Sequence, residues 1–169
     1  TRLLKKDVAY QPDPQLIRSL RPNNKAHSVS YETDDNLNGR STAVPKTPRD
    51  IGIHGTNNVG LRMPDDVGPK VSGERRILLL GDSFTEGLEA PVGKRFADVA
   101  NDGLRVGTST EGWRIINAGI QNGAPSQYAL QLSRYLPQFQ PDIVIVALTP
   151  NDLTDDLNFE RRYGFEFGA

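Results

Sequence analysis

An alternation of short apolar runs with segments of helical spacing is the feature that most constrains the fold of this chain. The runs Arg76–Gly81, Trp113–Gly119 and Asp142–Leu148 have the length and the aliphatic content of strands. Between them lie Arg95–Arg105 and Pro125–Leu136, where apolar residues recur with helical spacing. The order strand, helix, strand, helix, strand is typical of a parallel sheet with right-handed crossovers. The sequence therefore predicts an α/β fold.

Two sets of residues define the apolar stripes of the predicted helices. In the first helix they are Phe96, Val99, Ala100 and Leu104. In the second they are Tyr128, Leu132, Tyr135 and Leu136. Pro125 suits the first position of the second helix, since proline has no N–H to leave unbonded there.

Residues 1–73 differ in character from residues 74–169. The first part holds seven of the 12 prolines, among them Pro12, Pro14 and Pro22, which would interrupt an early helix. We expect a loop-rich extension with short strands that packs on the α/β domain of residues 74–169, because compact proteins seldom contain such long structureless loops. A disordered arm is the alternative interpretation.

Composition excludes several classes of function. The formal net charge of −1 gives no strong field for nucleic acid. The absence of cysteine excludes thiolate chemistry, and the two histidines argue against a histidine-rich metal site. The longest apolar run, Ile143–Leu148, is far shorter than the ~20 residues of a membrane span. We expect no cofactor, no metal, no nucleic-acid partner and no membrane span in this chain.

The residues that follow the three strands are the candidates for function, because chemistry in such sheets lies beyond the carboxyl ends of the strands. Ser83 offers a hydroxyl at a strand-to-helix turn, and Gly119 offers a backbone N–H without a Cβ beside it. Asn151 offers a neutral amide donor. A nucleophile with two hydrogen-bond donors is what acyl transfer requires, since the donors stabilise the oxyanion of the tetrahedral intermediate.

Each of these residues also has a purely structural interpretation. Asp82 or Ser83 could cap the helix that follows the first strand, and Asn151 could cap another. Gly119 could simply end its strand. Asp82 and Asp152 could do no more than stabilise helix N-termini. The functional hypothesis depends on the occurrence of all three residue types together.

Three segments resemble the conserved blocks of the SGNH, or GDSL-type, hydrolases. Leu80–Gly87 (LGDSFTEG) resembles the first block, Asn117–Gly119 the second and Pro150–Asp152 the third. Three upstream segments resemble the lead-in of one bacterial branch: Tyr10–Pro14, Arg21–Asn23 and Thr56–Arg62.

The resemblance implies roles for four residues. Ser83 would be the nucleophile, with Asp82 as a supporting residue. The Ser83 N–H, the Gly119 N–H and the Asn151 side chain would form the oxyanion hole. The implied fold is a three-layer α/β/α sandwich of flavodoxin-like architecture. Members of this branch often carry an N-terminal signal or anchor, so an extracytoplasmic location is favoured for a sequence that opens at Thr1.

Two departures from the family pattern matter. Thr149 stands where a glycine often precedes the third-block Asn, with Pro150 between. More important, nothing matches the fourth block, an Asp three residues before a His. Neither His27 nor His54 has such an Asp, and no histidine follows His54.

We therefore expect the sheet to be incomplete at the C-terminal side. A three-stranded sheet followed by Phe165–Phe167 would leave an apolar edge uncovered, which folded proteins avoid. Further strands, a helix and the missing Asp and His would lie in a segment outside these residues or in a second chain.

The leading hypothesis is serine-dependent hydrolysis of a small acyl ester through an acyl-enzyme. An acetyl ester on a carbohydrate is the substrate that the resemblance favours. Transfer of the acyl group to another hydroxyl, a binding module without a base, and an inactive fragment are the alternatives. Nucleotide binding is disfavoured, because Gly87–Arg95 departs from the phosphate-loop pattern in spacing and in its last residue.

Overall fold

The computed structural model of the chain describes residues 10–24, 27–30, 49–53, 55–88, 90, 93–107 and 112–163. The strands are β1 (Tyr10–Asp13), β2 (Ile17–Leu20), β3 (His27–Ser30), β4 (Arg49–Ile53), β5 (Arg75–Gly81), β6 (Trp113–Asn117) and β7 (Ile143–Ala147). The helices are α1 (Ser83–Glu86), α2 (Phe96–Gly107), α3 (Pro125–Phe139) and α4 (Asp152–Tyr163).

Strands β5, β6 and β7 form a parallel sheet in the order β6-β5-β7. Leu78 at the centre of β5 pairs with Ile116 on one side and with Val144 on the other. The α/β class and the parallel sheet predicted from the sequence are confirmed, and the three predicted strands are all present.

The residues of β5 alternate between two apolar clusters. Leu78 and Leu80 pack in one cluster with Tyr135 and Phe139 of α3. Leu79 packs in the other with Ala97 of α2. Because successive side chains of a strand point to opposite faces, β5 contributes to the core on both of its faces.

Helix α2 is confirmed, but Leu104 is the one residue of its predicted apolar stripe that packs in an apolar cluster. Phe96 and Val99 are 55% and 58% exposed, whereas Ala97 and Asn101 are buried. The Asn101 side-chain oxygen accepts the N–H of Ile115 at 2.8 Å, so a polar contact to β6 sets the rotation of the helix. The apolar spacing alone could not show this contact.

Helix α3 also replaces part of its apolar stripe with amides. Pro125 occupies the start of the helix, as predicted. Leu136 is largely exposed, while Gln127 and Gln131 are buried. The Gln131 amide donates to the carbonyl of Ala118 at 2.9 Å, which ties α3 to the chain just after β6.

Among the described residues, the N-terminal part contributes a first hairpin, β1–β2, and a further antiparallel strand pair, β3–β4. The turn of the first hairpin inserts Leu16 into the main core cluster. The carboxylate of Asp13 lies 2.6 Å from the Arg134 guanidinium on α3, and Gln127 donates to the Leu16 carbonyl. Gln127 also donates to the Arg18 carbonyl, so apolar and polar contacts together fasten the first hairpin to α3.

Strand β7 is exposed over its first four residues, while Ala147 at its end packs in the cluster around Leu79. The side chains of Ile143 through Val146 are each between 37% and 45% exposed, and Leu148 is more so. In the described part of the chain, β5 is the single strand that pairs with β7. No helix among the described residues is long and apolar enough to cross a membrane. Phe165–Phe167 lie outside the described residues.

Candidate functional site

The chain segments after β5 and β7 meet at the carboxyl end of the sheet. Asp82 directly follows β5, and its Oδ2 accepts the Thr149 hydroxyl at 2.8 Å. The same oxygen accepts the Asn151 amide at 3.2 Å. The structure therefore brings Asn151 next to Asp82, the neighbour of Ser83 in the sequence.

Asp82 caps the helix that carries Ser83. Its side chain is fully buried, and Oδ1 accepts the N–H of Phe84 at 2.9 Å. The capping interpretation is thus confirmed for Asp82. One carboxyl group both begins α1 and holds the segment after β7, so it fixes two of the candidate residues relative to each other.

Ser83 is the first residue of α1 and is half-buried. The turn that carries it is tight, because a Cβ on Gly81 would lie 2.1 Å from the Thr85 hydroxyl and 3.0 Å from the Ala147 carbonyl. Only glycine fits there. The N-terminal end of a helix favours developing negative charge, although α1 is a single turn.

Gly119 packs directly under α1. A Cβ at this position would lie 2.3 Å from the backbone nitrogen of Glu86, so a side chain here would push the helix away. The Gly119 N–H donates to Asn117 Oδ1 at 3.0 Å, and the Asn117 amide donates to the Thr85 carbonyl at 2.7 Å. For the Gly119 N–H to bind an oxyanion, it would have to exchange Asn117 for the substrate.

The Asn151 side chain is exposed, and its hydrogen-bonding contacts are with polar side chains. Its amide donates to Asp155 at 2.9 Å as well as to Asp82, and its oxygen lies 2.8 Å from the Thr149 hydroxyl oxygen. These contacts hold the amide in place. Binding of a substrate oxygen would replace one of the two carboxylate contacts.

A second carboxylate, that of Asp152, also binds more than one residue of this site. Asp152 is buried and accepts the Thr149 N–H at 3.0 Å and the Tyr128 hydroxyl at 3.2 Å. Burial and the nearby carboxylates of Asp152 and Asp82 raise the pKa of Tyr128, so its hydroxyl stays a donor.

Thr149 and Tyr128 are members of this network that the sequence interpretation missed. Thr149 stands out in the sequence only as a departure from a family pattern, and Tyr128 only as part of an apolar stripe. No local signal distinguishes a threonine or tyrosine that hydrogen-bonds a distant carboxylate.

Neither histidine is brought to Ser83 by the contacts that the structure describes. His27 lies in β3, and its side chain is not among the described ones. His54 lies outside the described residues. Within the described part of the chain, no group of three His, Asp or Glu residues could hold a metal ion.

An open groove of about 450 Å³ lies at the other end of the sheet. It is lined by residues 67–70 and 138–140. Lys70 in its wall contacts Asp142, which immediately precedes β7. This groove is remote from Ser83 and has no part in the candidate site.

Comparison of the chain with models of known protein families finds no match, and comparisons with curated proteins and with solved structures find no match either.

Proposed function

We propose that this chain carries the nucleophile and the oxyanion-binding groups of a serine esterase of SGNH type. The observation that carries the proposal is the hydrogen bond from the Asn151 amide to Asp82. Because Asp82 directly precedes Ser83, this bond places an amide donor beside the helix that begins at Ser83. In the reaction, Ser83 Oγ attacks the carbonyl carbon of the ester and its proton passes to a base. The alcohol then leaves, and water hydrolyses the acyl-enzyme.

The oxyanion donors would be the Ser83 N–H, the Asn151 amide and the Gly119 N–H. Asn151 is the side-chain donor of this set, and its exposure and its position next to Asp82 support its role. Loss of one such donor typically slows turnover by about 10²–10³-fold.

The base is proposed to lie on a segment that completes the sheet beyond β7, in a three-layer α/β/α sandwich. The exposed face of β7 supports this proposal, because parallel strands are normally covered on both faces. The packing of β5 against α2 on one face and α3 on the other supports it as well. The substrate class that we propose is a small acyl ester, with an acetylated carbohydrate first among the candidates and acyl transfer as the competing outcome.

A catalytically incomplete binding module is the second candidate. The observation that favours it is the Gly119 N–H, which already has a partner in Asn117. Such a module would bind esters at the same place without turning them over.

The test is covalent labelling of the natural full-length protein with a fluorophosphonate probe, followed by mass spectrometry of the modified peptide. We expect the adduct on Ser83, and loss of both labelling and ester hydrolysis in Ser83→Ala. Ser133→Ala, an exposed serine on α3, is the matched control and should retain both. Ester hydrolysis that persists unchanged in Ser83→Ala would refute the esterase proposal.

A second variant separates catalysis from binding. Asn151→Ala should lower kcat about 10²-fold with little change in KM, because its amide acts on the oxyanion rather than on the ground state. Asn158→Ala, exposed on α4, is the control. Binding of an ester without labelling of Ser83 by the probe and without turnover would favour the binding module instead, because an unactivated serine hydroxyl is a poor nucleophile.

A further inference from the structure

The loop that follows β6 is held against α1 by a buried carboxyl group. Glu86, the last residue of α1, is only 2% exposed. Its Oε2 accepts the backbone N–H of Gln121 at 2.5 Å. Since Ser83 and Glu86 share one helical turn, this bond connects the nucleophile helix to the loop that also contains Gly119.

The N-terminal hairpin supplies the other contacts of the same loop. The Tyr10 hydroxyl lies 3.1 Å from Glu86 Oε2 and 3.2 Å from Gln121 Oε1. The Arg18 guanidinium donates to the Gln121 carbonyl and stacks over the Tyr10 ring at 5.4 Å. Gln121 is thus bound through its N–H, its C=O and its side chain, by one residue of α1 and two of the hairpin.

Burial favours the protonated form of Glu86 in this cluster. A tyrosine hydroxyl has one proton to donate, and Tyr10 lies between two oxygen acceptors. A protonated Glu86 can donate to Tyr10 while Tyr10 donates to Gln121, which satisfies every oxygen. Burial raises the pKa of Glu86, and the opposing effects of Gln121, Arg62, Tyr10 and Arg18 are smaller. Burial and Glu86 also raise the pKa of Tyr10, which keeps its proton.

The first hairpin is anchored to the main core and to α3. Leu16 at its turn is buried in the main core, and Gln127 of α3 donates to the carbonyls of Leu16 and Arg18. Asp13 binds Arg134 of the same helix. A contact that Tyr10 or Arg18 makes with the loop is therefore made from a surface anchored in α3.

We propose that Glu86, Tyr10 and Arg18 are positioning residues of the candidate site, which lock the loop after β6 against the helix that carries Ser83. The proposal rests on the proposed function of Ser83. It makes the N-terminal hairpin part of the catalytic apparatus, because it holds Gly119 and the Ser83 helix at a fixed separation. Misplacement of catalytic groups by about 1 Å can cost ~10²-fold in rate.

Three variants of the natural full-length protein test the proposal. Glu86→Ala removes the acceptor of the Gln121 N–H, whereas Glu86→Gln retains an oxygen acceptor in a neutral group. Tyr10→Phe removes the hydroxyl. Tyr135→Phe, at a buried tyrosine of the α3 core, is the matched control.

Hydrogen exchange of residues 118–123 is the readout that does not depend on activity. We expect exchange about tenfold faster or more in Glu86→Ala, intermediate in Tyr10→Phe, and near wild type in Glu86→Gln and Tyr135→Phe. For ester hydrolysis, Glu86→Ala should lower kcat by about 10–10²-fold with KM nearly unchanged, and Glu86→Gln should restore most of it.

The outcomes distinguish the two proposals. An active, Ser83-dependent wild type in which Glu86→Ala and Tyr10→Phe change neither exchange nor kcat would overturn the positioning role. A wild type no more active than Ser83→Ala would overturn the esterase, whatever the exchange data show. If Glu86→Ala fails to fold, Tyr10→Phe decides the question, since it deletes a single hydroxyl group and is expected to quicken exchange.

Discussion

Strands β5 and β7 have nearly the same apolar character and yet opposite environments. They pair side by side, with Leu78 opposite Val144. Leu78 is fully buried, while Val144 is 37% exposed. The difference comes from position in the sheet, since β5 has a strand on each side and a helix on each face. Hydropathy thus identifies a strand but does not show whether it lies at the centre or at an edge.

The largest expected effect separates these two strands directly. Leu78→Ala should destabilise the fold by about 3 kcal/mol or more, because it leaves a cavity in the core. Val144→Ala at the paired position should cost about 1 kcal/mol or less, because solvent already reaches the side chain. Denaturant unfolding of both variants measures the contrast. Equal losses would mean that β7 is covered in solution.

Two carboxyl groups, one close to β5 and one close to β7, should contribute to folding stability with opposite pH dependence. Burial raises the pKa of Glu86, which follows β5, above its ordinary value of 4.5. Its contribution to folding is then complete below that value and is lost as pH rises through the raised pKa. Glu86→Gln should therefore gain stability relative to wild type as pH rises from 4 to about 8. Gln138→Asn, at an exposed uncharged residue of α3, is the control and should show no such trend, because it changes no titratable group.

The contribution of Asp142, which precedes β7, to folding stability should depend on pH in the opposite direction and more weakly. Hydrogen bonds from Lys70 and from the Arg76 N–H lower the pKa of its carboxyl below the ordinary 3.8. This contribution is present above 3.8 and is lost as pH falls through the lowered pKa. In Asp142→Asn, the loss of stability at low pH that Asp142 causes should disappear. Hydrogen exchange should become faster in β7 and stay unchanged in β6. Faster exchange in both strands would show that Asp142 supports the whole sheet.

The smallest effect on stability is expected at the exposed strand itself. Ile145→Lys should change the free energy of unfolding by less than about 0.5 kcal/mol, because Ile145 is 45% exposed. It should nevertheless reduce self-association, since charged residues protect sheet edges from pairing. Light scattering of the Ile145→Lys variant is compared with that of Gln138→Lys, which adds the same charge at an exposed site on α3. The difference separates the effect of the strand edge from the effect of added charge. Equal scattering of the two variants would argue against self-association through the edge of β7.

Much of the α/β part could be predicted from the sequence, and its limits are instructive. The strands around Leu78, Ile115 and Ile145 follow from short apolar runs, and α3 follows from Pro125 and helical spacing. The rotation of α2 could not be predicted, because the contact from Asn101 to Ile115 replaces part of its apolar face. A polar side chain can set a helix orientation without leaving any periodic signal.

The candidate site was accessible to sequence analysis only as a set of residue types after strands. Asp82 and Asn151 are 69 residues apart, and their contact arises because the carboxyl ends of neighbouring parallel strands lie at the same edge. The sequence suggested Gly119 as a donor of its N–H. The structure shows that this glycine is also required by close packing against the Glu86 backbone.

The alternation of strands and helices, and the residue types that follow each strand, could be derived from the amino-acid sequence alone. Both are local properties, fixed by periodicity, β-branching and turn-forming residues within a few positions. Tertiary structure alone decided that β5 is central and β7 exposed, and that Asp82 joins two strand ends. It also decided that Tyr10 reaches Glu86 across 76 positions of the chain. Such contacts depend on how distant segments pack, and neither partner carries a local signal of the other.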